Sequence, residues 1–257
     1  MKNNPLDPID YQVDEMLKMA KSGKFEPGIY NFCDRWCEKC PDRERCFLYA
    51  QEVQRKIKHL VSGEDPDDWE TVFSDIRHNF AITKRLLERG LREQGLDPNR
   101  VLKEEIKNWD DDVHCRYDNQ PCLIKAREYA KKTSEFLQKF HQGRFKYFQQ
   151  LGAEVSFDDI KDEIETISWY HTMLPTKIWR AFYEKESWQR EEDQELKELI
   201  KRDLPKYIAL VEKCIAKSKK AWQNLETKRE EFASIVPGFL NLLDTIKKEF
   251  KILQRKK

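Results

Sequence analysis

Glycine and proline are scarce in this chain, 8 and 10 among 257 residues. An all-β domain needs frequent turns, and these two residues supply many of them. The shortage argues against a sandwich or a barrel. No segment of adequate length alternates with period two, and the Asn-Gly hairpin signal is missing. No run approaches 18 apolar residues, so no membrane span is expected. Neither sign of charge dominates: 48 Lys and Arg stand against 47 Asp and Glu. That balance argues against a globally basic nucleic-acid binder and against an acidic tail. The opening residues, Met1-Lys-Asn-Asn-Pro-Leu-Asp-Pro8, carry no apolar run. No secretory signal is expected, and the cytoplasm is the expected location. Seven cysteines is an odd number, and thiols in a reducing compartment favour metal over disulfides.

What is abundant is charge, at 37% of residues, together with 14 Phe, 9 Tyr and 7 Trp. That mixture suits long helices with solvated outer faces and aromatic inner ones. Apolar residues recur near every 3.5 positions in almost every segment. The pattern predicts helices over about Ile9–Lys21, from near Pro41-Asp42 to Val61, over Asp67–Glu93 and over Arg100–Trp109. The second should bury Phe47, Ala50, Val53, Ile57 and Leu60. The third should bury Trp69, Phe73, Ile76, Phe80, Thr83, Leu87 and Gly90. Residues Asp110 to Pro121 read as a loop. Further seams are Leu123, Ala126, Ala130, Thr133, Leu137, Phe140; then Ile160, Ile164, Ile167, His171, Leu174, Ile178, Ala181; then Ile208, Val211, Ile215, Ser218, Trp222, Leu225. Pro175 should kink the second of these, and Pro205 should open the third. The charged stretch Glu184–Asp203 reads as an exposed helical extension or a link. Pro237-Gly238 precedes a last amphipathic helix to about Leu253.

The expected fold is all-α: an antiparallel four-helix bundle with an N-terminal helical segment that carries a cysteine cluster. The segments around Ile76, Ala130, Ile167 and Val211 are the expected bundle helices. The expected division places the cysteine segment at residues 1–62, packed on a bundle of residues 63–257.

Four cysteines fall within fourteen residues: Cys33-Asp-Arg-Trp-Cys37-Glu-Lys-Cys40-Pro-Asp-Arg-Glu-Arg-Cys46. Thiolates are soft donors that bind zinc or iron strongly. Four on one short loop can satisfy a tetrahedral ion or a cubane cluster without outside help. Structural zinc prefers pairs of closely spaced ligands separated by a longer loop. Ligands packed into one loop and a helix start suit a [4Fe–4S] cluster, with zinc as the alternative. A helix beginning near Pro41 would aim its positive end at the site. Arg35, Lys39, Arg43 and Arg45 would add positive charge around it. Cys37-x2-Cys40-Pro-x4-Cys46 resembles the end of the iron–sulfur loop of the endonuclease-type DNA glycosylases. The first gap there is six residues, against three here, so the resemblance extends to the ligand pattern alone. Cys33-x3-Cys37-x2-Cys40 also matches the radical-SAM motif, but the strands of the required α/β barrel are lacking.

Other polar residues interrupt the seams. His171, Thr83, Thr133 and Ser218 would form one buried layer if the helices align at their centres. Such a layer binds a small ligand or fixes helix register. Asp75 and His78 lie three apart, as in a di-iron site, and Glu165 could add a carboxylate, but a second Glu-x-x-His is missing. Glu165, Trp169, Tyr170, Lys177 and Arg180 either line a pocket or pack with their charged heads outward. Cys115 and Cys122, with His114, read as a weak second metal site or as ordinary thiols. Cys214 reads as core.

Several stretches resemble a family of uncharacterised bacterial helical proteins with an N-terminal four-cysteine motif. They are Gly28-Ile-Tyr-Asn-Phe-Cys-Asp-Arg-Trp-Cys-Glu-Lys-Cys40, Asn79-Phe-Ala-Ile-Thr-Lys-Arg-Leu-Leu87, Glu165-Thr-Ile-Ser-Trp-Tyr170, Lys177-Ile-Trp-Arg-Ala181 and Ala216-Lys-Ser-Lys-Lys-Ala-Trp222. The resemblance implies a bacterial, cytoplasmic, helical protein and names no catalytic residue. Three functions are compatible with these patterns. One is an iron–sulfur protein with four cysteine ligands and a structural, redox-sensing or electron-transfer role. Another is a zinc-stabilised module that binds a protein partner. The third is an enzyme with a polar site near His171.

Overall fold

The computed structural model describes residues 7–107, 116–151 and 157–255. Among them are eight α-helices and no strand. They are α1 (Pro8–Ala20), α2 (Phe47–Val61), α3 (Trp69–Glu93), α4 (Pro98–Lys107), α5 (Pro121–Leu151), α6 (Lys161–Arg190), α7 (Gln194–Lys228) and α8 (Val236–Arg255). None is long and apolar enough to cross a membrane.

Local chemistry sets the helix ends. The Asp7 carboxylate accepts from the Ile9 N–H, and Pro8 occupies the first helical position of α1. Asp68 caps α3 and Asp193 caps α7 in the same way. The chain leaves α3 at Gly95, whose φ of 75° lies in the left-handed region that glycine enters at no steric cost. The Leu96 N–H there reaches back to the Leu91 carbonyl at 2.9 Å.

The helices form two packing units, residues 1–110 and 111–257. α3 therefore groups with the cysteine segment, whereas the sequence pattern places it with the later helices. In the second unit, α5 packs on α6 and α8, and α7 packs on α6 and α8. The expected seams are the buried ones. Ile160, Ile167, Leu174 and Ile178 are fully buried, as are Val211, Trp222 and Leu225. Each such aliphatic side chain contributes roughly 1.5–3 kcal/mol. Trp222 stacks on Phe239 with ring centroids 4.0 Å apart. Burial on this scale lets α6 and α7 run through Pro175 and Pro205. Each proline removes a helical N–H and crowds the preceding turn. Pro205 thus lies inside a helix and does not open one. The charged stretch divides between α6 and α7, with a three-residue break at 191–193.

The first unit is built differently. Its buried apolar side chains, among the described residues, are Val13, Phe25, Cys46, Ile82 and Pro98. The expected buried face of α3 is exposed: Trp69 by 74%, Phe73 by 52% and Phe80 by 71%. On α2, Ile57 and Leu60 are exposed as well. Ion pairs and hydrogen bonds decide the packing here. α1 lies against the polar face of α3, through His78–Gln12 at 2.5 Å, Arg85 to Asp7 and Asp10 at 2.9 Å, and Arg89–Asp14 at 2.5 Å.

Candidate metal centre

The cysteine segment is a chain of short turns. Gly28, with φ 73°, opens a 3-10 turn over Ile29–Phe32. Cys33 ends that turn in an extended conformation, and its thiol donates to the Tyr30 carbonyl at 3.4 Å. Asp34 is buried, and Arg35 takes a left-handed φ of 59°. A non-glycine residue in that region carries strain of order 1 kcal/mol. The backbone between Cys33 and Cys37 is therefore held in place by its surroundings.

Two further 3-10 turns follow, and each ends on a cysteine. In Cys37–Lys39 the closing bond runs from the Cys40 N–H to the Cys37 carbonyl at 3.2 Å. In Arg43–Arg45 it runs from the Cys46 N–H to the Arg43 carbonyl at 3.1 Å. Cys40 and Cys46 then share one extended conformation, with φ, ψ of −85°, 124° and −95°, 118°. The expected helix from Pro41 is thus replaced by a turn, and α2 begins at Phe47. Cys46 is its N-cap residue and not part of its first turn. No side chain caps the first N–H groups of α2.

The electrostatics tie the four thiols together. The Cys37 thiol has its pKa raised, first by burial and then by the charges of Cys33, Cys46, Glu38 and Cys40. Each of the other three cysteines is therefore within electrostatic reach of Cys37. Among the described residues, no three side chains of His, Cys, Asp or Glu are already gathered at ligating positions. The loop brings the sulfurs to one neighbourhood without closing them on one point.

The basic residues of the loop hold the loop itself. Lys39 lies 4.1 Å from the Trp36 ring centroid. Arg43 donates to the Glu38 carbonyl at 3.4 Å and lies over the Tyr49 ring. Arg45 pairs with Glu26 and Asp42, while its carbonyl accepts from the Glu26 N–H at 3.0 Å. Phe25 packs edge-on against Phe47 at 5.6 Å. These contacts fasten the last cysteine to the segment before the first. The donor set, four soft thiols on one loop, fits an iron–sulfur cluster or zinc.

The di-iron arrangement is not formed. Asp75 turns to α2, where Arg55 donates to it at 2.6 Å and His59 Nε2 lies 3.0 Å away. His78 turns to Gln12. A residue the sequence pattern overlooks, His59, lies between two carboxylates, with Nδ1 2.6 Å from Glu64. Glu64 first and Asp75 second raise its pKa. Burial works against the Asp75 carboxylate, but its bonds from Arg55 and His59 hold it below the ordinary range.

The expected polar layer of the second unit is also rearranged. His171 is buried, yet its Nδ1 bonds the Ser168 carbonyl of its own helix at 2.6 Å. Thr83 lies in the other unit, exposed, and donates to the Asn79 carbonyl at 2.8 Å. Tyr129 takes the central place. Its hydroxyl accepts from Trp222 Nε1 at 3.0 Å. Thr133 and Ser218 lie near enough to influence the phenol, whose pKa burial raises. Neither of their hydroxyls has a partner in hydrogen-bond geometry. The seam passes through Tyr129 rather than its neighbour Ala130, a one-residue difference that hid the tyrosine.

Arg180 pairs with Glu184 and lies over Tyr183 and Tyr207, so it does not join a pocket with Glu165. An open cleft of ≈ 470 Å³ lies nearby, where Glu186 accepts from Tyr117 and pairs with Arg116 and Arg190. Cys122 is buried, and that burial pushes its thiol up to about 12. Cys214 is core, as expected. The expected companions of Cys122, His114 and Cys115, lie outside the described residues. No family model matches this chain, and no curated protein or solved structure matches it.

Proposed function

We propose that the first unit is a metal-binding segment in which Cys33, Cys37, Cys40 and Cys46 hold a [4Fe–4S] cluster with a structural, redox-sensing or electron-transfer role. One observation carries the reading: four thiols, the soft donors that iron and zinc prefer, fall on one fourteen-residue loop whose short turns set Cys40 and Cys46 in the same extended conformation. Thiolates crowded together repel, and a bound cation inverts that repulsion. A bound cluster supplies a one-electron couple and a cross-link through four sulfurs. The chain does the rest. Paired 3-10 turns present Cys40 and Cys46, Arg45 and Phe25 anchor the loop, and the uncapped start of α2 favours negative charge beside Cys46. Four thiolates also require a reducing compartment, which supports the cytoplasm.

The second unit is proposed as an antiparallel four-helix bundle. The α5–α6, α6–α7, α7–α8 and α8–α5 contacts close a ring, and a three-residue link turns α6 back into α7. The resemblance to bacterial four-cysteine helical proteins belongs to the same reading.

The test is anaerobic purification followed by iron, zinc and acid-labile sulfide analysis. About four irons and four sulfides per chain, with broad visible absorption, are expected. One zinc and no colour would move the site to the structural-zinc reading. Protein with neither metal, after reconstitution with iron and sulfide has also been tried, would end both.

A further inference from the structure

The exposed face of α3 has a self-complementary pattern, and we infer that it is the interface of a two-fold homodimer in which α3 pairs antiparallel with α3 of a second copy. The inference is independent of the metal reading.

Trp69, Phe73, Ile76, Phe80 and Leu87 are exposed by 74%, 52%, 42%, 71% and 55%. With Thr83 they follow spacings of four and three along one stripe. The residues that meet α1 are His78, Arg85 and Arg89, and Ile82, the buried apolar residue of α3, falls on the same side. At 3.6 residues per turn that side lies half a turn from the stripe. Asp75, which meets Arg55 and His59, also falls away from it. The unit's own contacts therefore leave the apolar stripe free.

The stripe fits its own reverse. In an antiparallel pairing centred near His78, Trp69 meets Leu87 of the second copy, Phe73 meets Thr83, and Ile76 meets Phe80. Each large ring faces a smaller or differently shaped side chain, and each contact occurs twice. The flanks agree in the same register. Glu70 faces Lys84 of the second copy and Lys84 faces Glu70, giving two complementary pairs. Val72 faces Leu86 on the other flank, where Asn79 meets its own copy, and on the first flank Arg77 meets its own copy beside the two-fold axis. A parallel pairing fits worse. It stacks Trp69 on Trp69 and Thr83 on Thr83, and it sets Val72 beside Arg77 and Asn79 beside Lys84, with no opposite charges joined. Two Glu70–Lys84 pairs and two Val72–Leu86 contacts set against one Arg77–Arg77 contact, where the parallel arrangement joins no opposite charges, favour a second copy of α3 in the antiparallel orientation.

The test is sedimentation velocity on the full chain, purified anaerobically, with circular dichroism to check the helix content of each variant. Wild type should be a dimer. Phe80→Glu places a carboxylate at the centre of the stripe and should raise Kd at least ~100-fold with helix content retained. Glu70→Lys and Lys84→Glu should each raise Kd about tenfold, because each turns two attractive pairs into two repulsive ones. The double variant should return to within about threefold of wild type, as only a self-pairing of these two positions allows. A wild type that stays monomeric at ~100 µM would overturn the inference, whether or not another protein co-purifies with it. So would a dimer indifferent to Phe80→Glu, or single reversals that the double variant does not rescue.

Discussion

Replacing the two orphaned hydroxyls of the second unit should stabilise the protein. Thr133 and Ser218 are fully buried, and neither Oγ1 of Thr133 nor Oγ of Ser218 has a partner in hydrogen-bond geometry, although both lie near enough to the Tyr129 hydroxyl to act against the burial that raises its pKa. A buried hydroxyl without a bond costs about 1–3 kcal/mol relative to its hydrated state. Thr133→Val keeps the side-chain shape and removes that cost, so a gain of about 1–2 kcal/mol is expected. Ser218→Ala removes the same cost but leaves a small void, which reduces the gain to about 0.5–1 kcal/mol. Tyr129→Phe has the opposite sign. It strips the Trp222 indole N–H of its acceptor, now 3.0 Å away, and should cost about 1–3 kcal/mol. Calorimetry reads all three. In a unit of this size, 1 kcal/mol moves Tm by roughly 2–4 °C, so the gains and the loss separate clearly. The reasoning is refuted if Thr133→Val lowers Tm by ~2 °C or more. That result would mean the hydroxyl has a bonded partner, and the polar core would then be satisfied rather than strained.

Replacing Cys46 with Ser should abolish metal retention and broaden the melting of the first unit, as metal analysis and calorimetry would record. The α2–α3 contact should depend on pH at both ends. The raised His59 pKa contributes stability that is complete below the ordinary histidine value of 6.5 and is lost as pH rises through the raised one. The lowered Asp75 pKa contributes stability present above the ordinary aspartate value of 3.8 and lost as pH falls through the lowered one. Hydrogen-exchange protection in α2 and α3, taken relative to the intrinsic rate at each pH, should therefore be greatest between about pH 4 and 6.5. Cys122 should resist iodoacetamide at about pH 8 in the folded chain, because burial keeps it a thiol. Modification faster than global unfolding would contradict that burial.

Much of the second unit was legible because its seams obey one rule. From Ile160 to Ala181 every expected contact position is buried, and the helix continues across a proline because those positions outweigh it. The same rule failed on α3. A 3.6-residue stripe says which face of a helix wants a partner, not where the partner is. On α3 the charged residues Arg85 and Arg89 found Asp7, Asp10 and Asp14 on α1, and the apolar stripe was left outside. The cysteine cluster was legible as a set of donors. Its conformation was not, because the segment from Ile29 to Arg45 holds only short 3-10 turns, which carry no periodic signal. His59 was missed for a related reason. It lies near the end of α2, and its two carboxylates come from a turn and from another helix, so no spacing joins them.

The contrast between the units bears on what holds the first one together. Unit two buries whole seams of Ile, Leu and Val with a stacked Trp222–Phe239 pair. Unit one buries Val13, Phe25, Cys46, Ile82 and Pro98 among its described residues. At roughly 1.5–3 kcal/mol for a large apolar side chain, so few residues supply far less than the ordering cost of about a hundred residues. Exposed ion pairs such as Arg89–Asp14 add little, because solvent screens them. Small units with little core are stabilised by cross-links, by metals or by association. The chain offers candidates for the last two in this same unit: four thiols on one short loop, and a stripe from Trp69 to Leu87 that matches its own reverse. A metal held by the four cysteines would close the loop that α2 grows from, and Arg55 and His59 of α2 hold Asp75 of α3. The physical path from the cysteines to the apolar stripe is therefore short, and loss of the metal is expected to weaken self-association as well as to loosen the loop.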